Sequence, residues 1–468
     1  MRRFILLILI PVSLLLVGCP RPAKYVRPQL PVREAWPEDA IRQAEDPKAK
    51  AAYDLDWKEY FADERLQAVI QLALKNNRDL RIAAFNIEKA QALFRIERGE
   101  QYPKISASES SEVYRLPSEM SATGKSVTAE QHTVNLGVAS WELDFFGRIR
   151  SLKSSALEQY LATEQAHSAA RISLVASVAN AYLGMAADLE NLRLAEATLT
   201  APQSSWDLIR QSRDLGIASD LEVTQAETQA EAARVDIARY SGRVAQDKNV
   251  LDLLAGAPVP FGMLPGDMTG IPSLKEIAAG VPSEVLLRRP DILMVEHQLK
   301  AYNANIGAAR AAYFPRISLT AGAAGFMSND LTDLFKYGSR TWSFIPQVTF
   351  PIFDFGARAA GVKAAEANRN IAIAEYEKAI QAAFREVSDA LSLRTTLINQ
   401  QNAQESLVGT LGKTYRLSEA RYQGGIDSYL SVLVAQRSLY AAQQQLVEVR
   451  LARLSNLVIL YKVLGGGA

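Results

Sequence analysis

Tyr102-Pro103-Lys104-Ile105-Ser106 returns 212 residues later as Phe314-Pro315-Arg316-Ile317-Ser318, and the runs that lead into them, from residues 92 and 304, match as well. Further along, Phe146-Gly147 pairs with Phe355-Gly356, Leu215-Gly216-Ile217 with Gly424-Gly425-Ile426, and Ala255-Gly256 with Leu464-Gly465, all at an offset of 209. The three-residue change falls between Pro103 and Phe146, where each half has a polar loop. A register held over so long a stretch marks internal repetition, and its period is far beyond the roughly 20–50 residues of a solenoid unit. The chain reads as one unit duplicated.

Each unit has the same order: a helix, two strands, one very long helix, a glycine turn and a second long helix. Pro202 is the only proline between Gly147 and Leu254, and none lies between Ile352 and Val463. A helix from Gly147 to Leu215 would run about 100 Å at 1.5 Å per residue, a rod that no compact globular domain needs. The last helix carries a seven-residue stripe of Val432, Leu439, Leu446 and Leu460, with Arg453 interrupting it and Ala435, Ala442 and Val449 three residues on. A second apolar register at Leu433, Tyr440, Val447, Leu454 and Tyr461 widens the stripe. Such heptads mean coiled-coil-like packing, with small alanines letting backbones approach. A helix in a cylinder wall touches neighbours on two sides and would show this breadth; a helical hairpin stacked in a filament or bundle is the alternative.

Four strands are expected, at about residues 104–114, 132–143, 316–326 and 342–353. The third alternates Ile317, Leu319, Ala321 and Ala323 against Ser318, Thr320 and Gly322. The fourth sets Trp342, Phe344, Val348, Phe350 and Ile352 against Ser343, Gln347 and Thr349, with Ile345 out of phase. The first is weak, because Glu109 sits on its apolar phase. Strands of about 10 residues with one apolar and one small polar face suit a membrane barrel with a wet lumen. An open four-stranded sheet is not viable in hydrocarbon, and closure takes about eight strands. Other chains must therefore contribute, and three copies would give about twelve strands by cyclic symmetry. The competing reading is a pair of water-soluble hairpins capping a coiled coil.

The N-terminus reads as an export signal: Arg2 and Arg3, then an apolar stretch of 14 residues from Phe4 to Val17, interrupted by Pro11 and too short for an ordinary membrane span. It ends in Leu16-Val17-Gly18-Cys19, which resembles the lipobox of bacterial lipoproteins. That resemblance implies cleavage before Cys19 and acylation of its thiol and new amino group, and Pro20 after it favours the outer membrane. A buried cysteine near an ordinary cleavage site is the plainer alternative. Two or three acyl chains anchor stably at about 0.8 kcal/mol per methylene. Cys19 is the only cysteine, which excludes an internal disulfide and a thiolate cluster. A net charge of +1 gives no global field for nucleic acid.

The boundaries follow: signal peptide 1–18, lipid-anchored tether 19–56, first repeat 57–255, linker and equatorial segment 256–282, second repeat 283–464 and flexible tail 465–468. Val281-Pro-Ser-Glu-Val-Leu-Leu-Arg-Arg-Pro-Asp-Ile292, Asn303-Ala-Asn-Ile-Gly-Ala-Ala-Arg310, Trp57 to Phe61 with Asp63 and Leu66, and Asn77-Arg-Asp-Leu80 resemble the TolC-like outer-membrane efflux proteins, specifically the lipoprotein branch serving RND-type pumps. The resemblance covers nearly the whole chain. It implies an α+β membrane protein: a homotrimer whose twelve-stranded β-barrel, four strands per chain, continues into a long α-helical barrel. It further implies a periplasmic adaptor, an inner-membrane RND-type pump and no cofactor, the chain itself being a passive exit duct.

By the same resemblance, the glycine turns at Leu215, Gly216 and Ile217 and at Gly424, Gly425 and Ile426 are adaptor-facing tips. Glycine supplies the positive φ that such reversals need. Relatives pinch the closed end with acidic rings and with tyrosine and arginine links. Glu222 and Tyr422 match such a link, so a phenol-to-carboxylate hydrogen bond is expected. Asp427 stands where some members have the arginine, and Val434 where many have an aspartate. Asp427 is either a ring of charge in the trimer or the N-cap of the last helix.

Rival function classes fare worse. His132, His167 and His297 are isolated, and no Walker loop, Gly-x-Ser-x-Gly elbow or His-Glu-x-x-His appears, so neither a catalytic nor a metal site is expected. Scarce, unclustered Met and His argue against a dedicated copper or silver route. A structural coiled-coil lipoprotein of the envelope without channel activity accounts for the rods but not for the alternating strands.

Overall fold

The computed structural model describes residues 25–36, 52–216, 218–272, 274–275, 277–278 and 282–467. The helices are α1 (Trp57–Tyr60), α2 (Glu64–Asn76), α3 (Arg78–Gly99), α4 (Arg148–Asp214), α5 (Asp220–Ala255), α6 (Pro282–Arg288), α7 (Pro290–Ala311), α8 (Ala357–Gln423) and α9 (Tyr429–Val463). The strands are β1 (Ile105–Leu116), β2 (Val127–Glu142), β3 (Arg316–Ser328) and β4 (Arg340–Thr349). Three pairs of helices have near-equal lengths: α3 and α7 each have 22 residues, α4 and α8 each 67, and α5 and α9 have 36 and 35.

Local chemistry sets the breaks. Asp63 starts α2 by accepting the amides of Arg65 (2.8 Å) and Leu66 (3.2 Å), two of the donors a helix start leaves free. Asn77 divides α2 from α3: its Oδ1 accepts the Leu80 amide and its Nδ2 donates to the Leu254 carbonyl, both at 2.9 Å. Gly256 ends α5 at φ +66°, and a Cβ there would collide with the Asn76 carbonyl. Only glycine fits. Helix α4 runs unbroken through Pro202.

The chain divides into two compact units, each drawn from both halves of the sequence. Unit 1 holds Asn86–Thr163 and Met294–Tyr376, with the described residues before Leu30. Unit 2 holds Leu30–Phe85, Glu164–Leu293 and Glu377–Ala468.

Unit 1 contains one antiparallel sheet in the order β1-β2-β3-β4. Gly137 faces Gly322 across β2 and β3, where a Cβ on Gly137 would collide with the Ala321 carbonyl. Below it β2 bulges between Val138 and Trp141, with Ser140 at φ +50°. The hairpin β1–β2 is longer than the alternation indicates, since pairing continues out to Leu116 and Val127. Glu109 does not interrupt β1, because that strand is exposed almost throughout and no buried face penalises a charge. Strand β4 stops at Thr349, short of the expected 353. Trp342, Phe344 and Val348 are 80%, 61% and 63% exposed, so the apolar face of β4 has no cover among the described residues.

Unit 1 also holds the described start of the tether. Glu296, whose side chain is 1% exposed, accepts from Tyr25 (3.1 Å) and from both Nε and Nη2 of Arg27 (3.0 and 2.8 Å), with Lys300 at 3.3 Å. Burial raises its pKa, but the Arg27 hydrogen bonds and the Lys300 and Arg27 charges outweigh that and hold it below the usual carboxylate range.

Unit 2 packs an aromatic core of Tyr60 stacked on Tyr461 (4.5 Å) with Phe61 edge-on at 5.7 Å. Val432, Ala435, Ala442, Leu446, Val449 and Leu460 of the expected stripe are buried, as are Leu433, Val447 and Tyr461 of the second register. Within residues 148–200, helix α4 holds an 18-residue stretch apolar enough to cross a membrane by composition. Val178, Ala179, Tyr182, Leu183 and Ala186 are buried at 2% exposure or less, so that apolar content serves the core.

Candidate functional site

The two glycine turns come together in unit 2. Ile209 at the end of α4, Ala226 of α5, and Tyr429, Val432 and Leu433 of α9 form one buried cluster, covered by Trp206, Ala218, Val223, Tyr415 and Tyr422. The ends of four helices thus share a small apolar core beside both turns. In the first turn, the Gly216 amide donates to the Arg213 carbonyl at 2.8 Å and Gly216 takes φ +76°. In the second, the Gly425 amide donates to Tyr422 and the Ile426 amide to Arg421, both at 2.9 Å, with Gly425 at φ +69°. That pair of bonds closes a helix C-terminus and turns the chain back.

Beyond this core, apolar side chains stand open at the tips. Leu215 and Ile426 are 76% and 66% exposed, and Leu221, Leu430 and Val434 are exposed beside them. Gly424 lies within the second turn; Ile217 and Cys19 fall outside the described residues.

The gate candidates take other partners than those expected within the chain. Glu222 accepts from the Ser219 amide (2.8 Å) and hydroxyl (3.0 Å), closing a capping box at the start of α5. Those bonds hold its carboxyl below the usual range, with the backbone amide contributing most. Tyr422 lies against Tyr429, ring centroids 5.2 Å apart. Asp427 is not the cap of α9: that position is Ser428, which makes no side-chain cap bond. Instead Asp427 accepts Nε and Nη2 of Arg421 at 2.5 and 3.0 Å. This forked pair spans the turn, and Arg421 lowers the Asp427 pKa through it. Six residues separate the two, a spacing that helix periodicity cannot reveal because the glycine turn lies between them. Arg213 plays a similar part at the first tip, bound to Asp214 at 2.6 Å and 3.6 Å from Asp220.

The family model for outer membrane efflux proteins matches residues 69–257 and 281–466. The chain belongs to that family. It is 46% identical over 462 residues to the antibiotic efflux pump outer membrane protein ArpC of Pseudomonas putida, covering 99% of this chain and 95% of that one. The toluene efflux pump outer membrane protein TtgC, also of Pseudomonas putida, matches at the same identity and coverage. Among solved structures, the open state of the Neisseria gonorrhoeae MtrE outer membrane channel superposes with a TM-score of 0.87 at 36% identity, covering 96% of this chain and 98% of that one. The protein is an outer-membrane efflux channel and not an enzyme.

In this efflux protein the Arg-Arg-Pro-Asp motif is a staple. Arg289, its side chain 8% exposed, donates to the Val463 carbonyl at 2.9 Å, to Glu386 at 2.9 Å and through two nitrogens to Asp291 at 3.0 and 2.6 Å. One guanidinium thereby ties the start of α7 to α8 and to the end of α9. Arg288 lies over the Tyr53 ring at 4.3 Å. A second feature invisible in the sequence is an acidic pair. Burial and the neighbouring Asp188 push Asp247 up to about 6 against an ordinary 3.8, with Arg243 pulling the other way. Asp188 sits on α4 and Asp247 on α5, 59 residues apart, so their meeting depends on tertiary packing alone.

Proposed function

We propose that three copies of this chain form a closed twelve-stranded barrel continued by an α-helical tunnel, a passive exit duct between a periplasmic adaptor with its RND-type pump and the outside of the cell. The observation that carries this reading is the four-stranded sheet itself. Among the described residues it has two unpaired edges and an uncovered apolar face on β4, which hydrocarbon tolerates only if neighbouring chains complete the ring. The duplicated element lengths support two repeats per chain. The antibiotic and toluene named for the relatives point to small hydrophobic molecules as cargo, selected mainly by the pump.

In this reading the exposed Leu215 and Ile426, with Ile217, are the adaptor-facing surface, and Gly216, Gly424 and Gly425 shape it. Glu222, Tyr422 and Asp427 line the closing end, where Arg421–Asp427 ties each second turn. Cys19 carries the lipid anchor. Deleting the chain from its host is expected to raise susceptibility to aromatic solvents and antibiotics together. Restoring it as the Gly216→Trp, Gly425→Trp double variant is expected to leave trimers intact and resistance absent; full resistance would remove the tips from adaptor docking. Cys19→Ser is expected to abolish labelled-palmitate incorporation, and continued labelling would overturn the anchor assignment.

A further inference from the structure

The internal repeat leaves one aromatic contact made once and its counterpart unmade. At the foot of the sheet, Phe146, after β2, stacks on Phe314, before β3, with centroids 4.8 Å apart and planes at 19°. Phe314 precedes Pro315 as Tyr102 precedes Pro103, and Phe146 precedes Gly147 as Phe355 precedes Gly356; both glycines take positive φ, +79° and +85°. The counterparts stand on the two edge strands, Tyr102 below β1 and Phe355 below β4. They are 60% and 92% exposed.

Phe355 also has φ +52°, a region costly for a bulky side chain unless its surroundings fix it. Among the described residues the one ring it meets is Phe353, itself 75% exposed, at 4.5 Å. The second repeat has one residue fewer here. Asp144 lies three before its glycine and Asp354 two before, though each accepts helix-start amides and an arginine Nε. The first repeat has Phe145 and Phe146 between its aspartate and glycine where the second has Phe355 alone, and Phe353, opposite Leu143, supplies the second ring of the pair.

Resting on the trimer reading above, we infer that Tyr102 of the partner subunit packs into the Phe353–Phe355 pair, repeating at each subunit seam the contact that Phe146 and Phe314 make inside the chain. The occupant is a second copy of this chain, because the seam between β4 and the next β1 is the counterpart of the β2–β3 seam. Offset-stacked rings at this spacing favour one relative placement of the strands, so the three aromatic locks would set the register in which the barrel closes.

The test uses the full chain in native membranes. Tyr102→Cys combined with Phe355→Cys, and separately with Phe353→Cys, is treated with a short bismaleimide and run on a denaturing gel. Each single variant controls for Cys19, and Leu116→Cys with Phe355→Cys controls for distance. The inference expects covalent dimers and trimers from at least one Tyr102 pair and none from the controls. Absence of a ladder while light scattering shows intact trimers would overturn the inference alone, placing the rings against lipid headgroups. Monomers throughout would overturn the trimer reading as well. As a second readout, Tyr102→Ala and Phe355→Ala are expected each to lower the temperature at which trimers dissociate, with the double variant falling short of their sum; simple additivity would overturn the pairing.

Discussion

Replacing Arg289 by alanine removes one guanidinium from three partners at once. The bond to the Val463 carbonyl is buried, and a hydrogen bond from a charged donor to a buried acceptor is worth about 1.5–3 kcal/mol. Asp291 and Glu386 are 44% and 45% exposed, so solvent screens them and each ion pair adds only about 0.5 kcal/mol. The expected loss is roughly 3 kcal/mol per subunit. With about 2.1 cal/mol/K of unfolding entropy per residue over 468 residues, calorimetry of the detergent-solubilised protein should show Tm falling by about 3 °C. Arg289→Lys keeps the charge but cannot fork to two carboxylates and a carbonyl together, so it should recover less than half of the loss. An alanine variant melting within about 1 °C of the parent, or a lysine variant matching the parent, would refute the staple.

Asp247→Asn should stabilise the protein in a pH-dependent way. The folded-state pKa of Asp247 is raised to about 6 from 3.8, so its contribution is fully present below pH 3.8 and is lost as pH rises through 6. The whole displacement corresponds to about 3 kcal/mol, and screening of this half-buried group leaves on the order of 1 kcal/mol. Tm should therefore rise at pH 8 and hold steady near pH 4; equal gains at both would point to packing instead. Asp427→Ala frees Arg421 at the second turn, and in the trimer it should raise single-channel conductance and passive antibiotic uptake. Because the pair is exposed, the parent should drift towards the variant as salt increases. Unchanged conductance would mean that the pair only shapes the turn.

The sequence and the structure agree where one periodicity or one residue type dictates the outcome. The long helices follow from stretches almost free of proline, and most of both apolar registers of α9 is buried because helical spacing decides which residues share a face. Gly216 and Gly425 mark reversals because only glycine enters positive φ without cost. Strand ends were less legible: β1 and β2 extend to Leu116 and Val127 through hairpin pairing, which carries no apolar signal on an exposed strand. The gate was least legible. Glu222 is claimed by Ser219 three residues away, and Asp427 by Arg421 across a turn. The expected phenol-to-carboxylate bond and helix cap ignored these nearer partners. Arg289, Glu296 and the Asp188–Asp247 pair act through residues far away in sequence, and only the folded chain brings them together.

The most direct test of the account is the current through a planar lipid bilayer holding the purified protein. A closed barrel of three subunits predicts discrete, long-lived conductance steps, equal in size from one insertion to the next. Insertion of the anchored protein without any step, in bilayers where a known outer-membrane channel conducts, would contradict it.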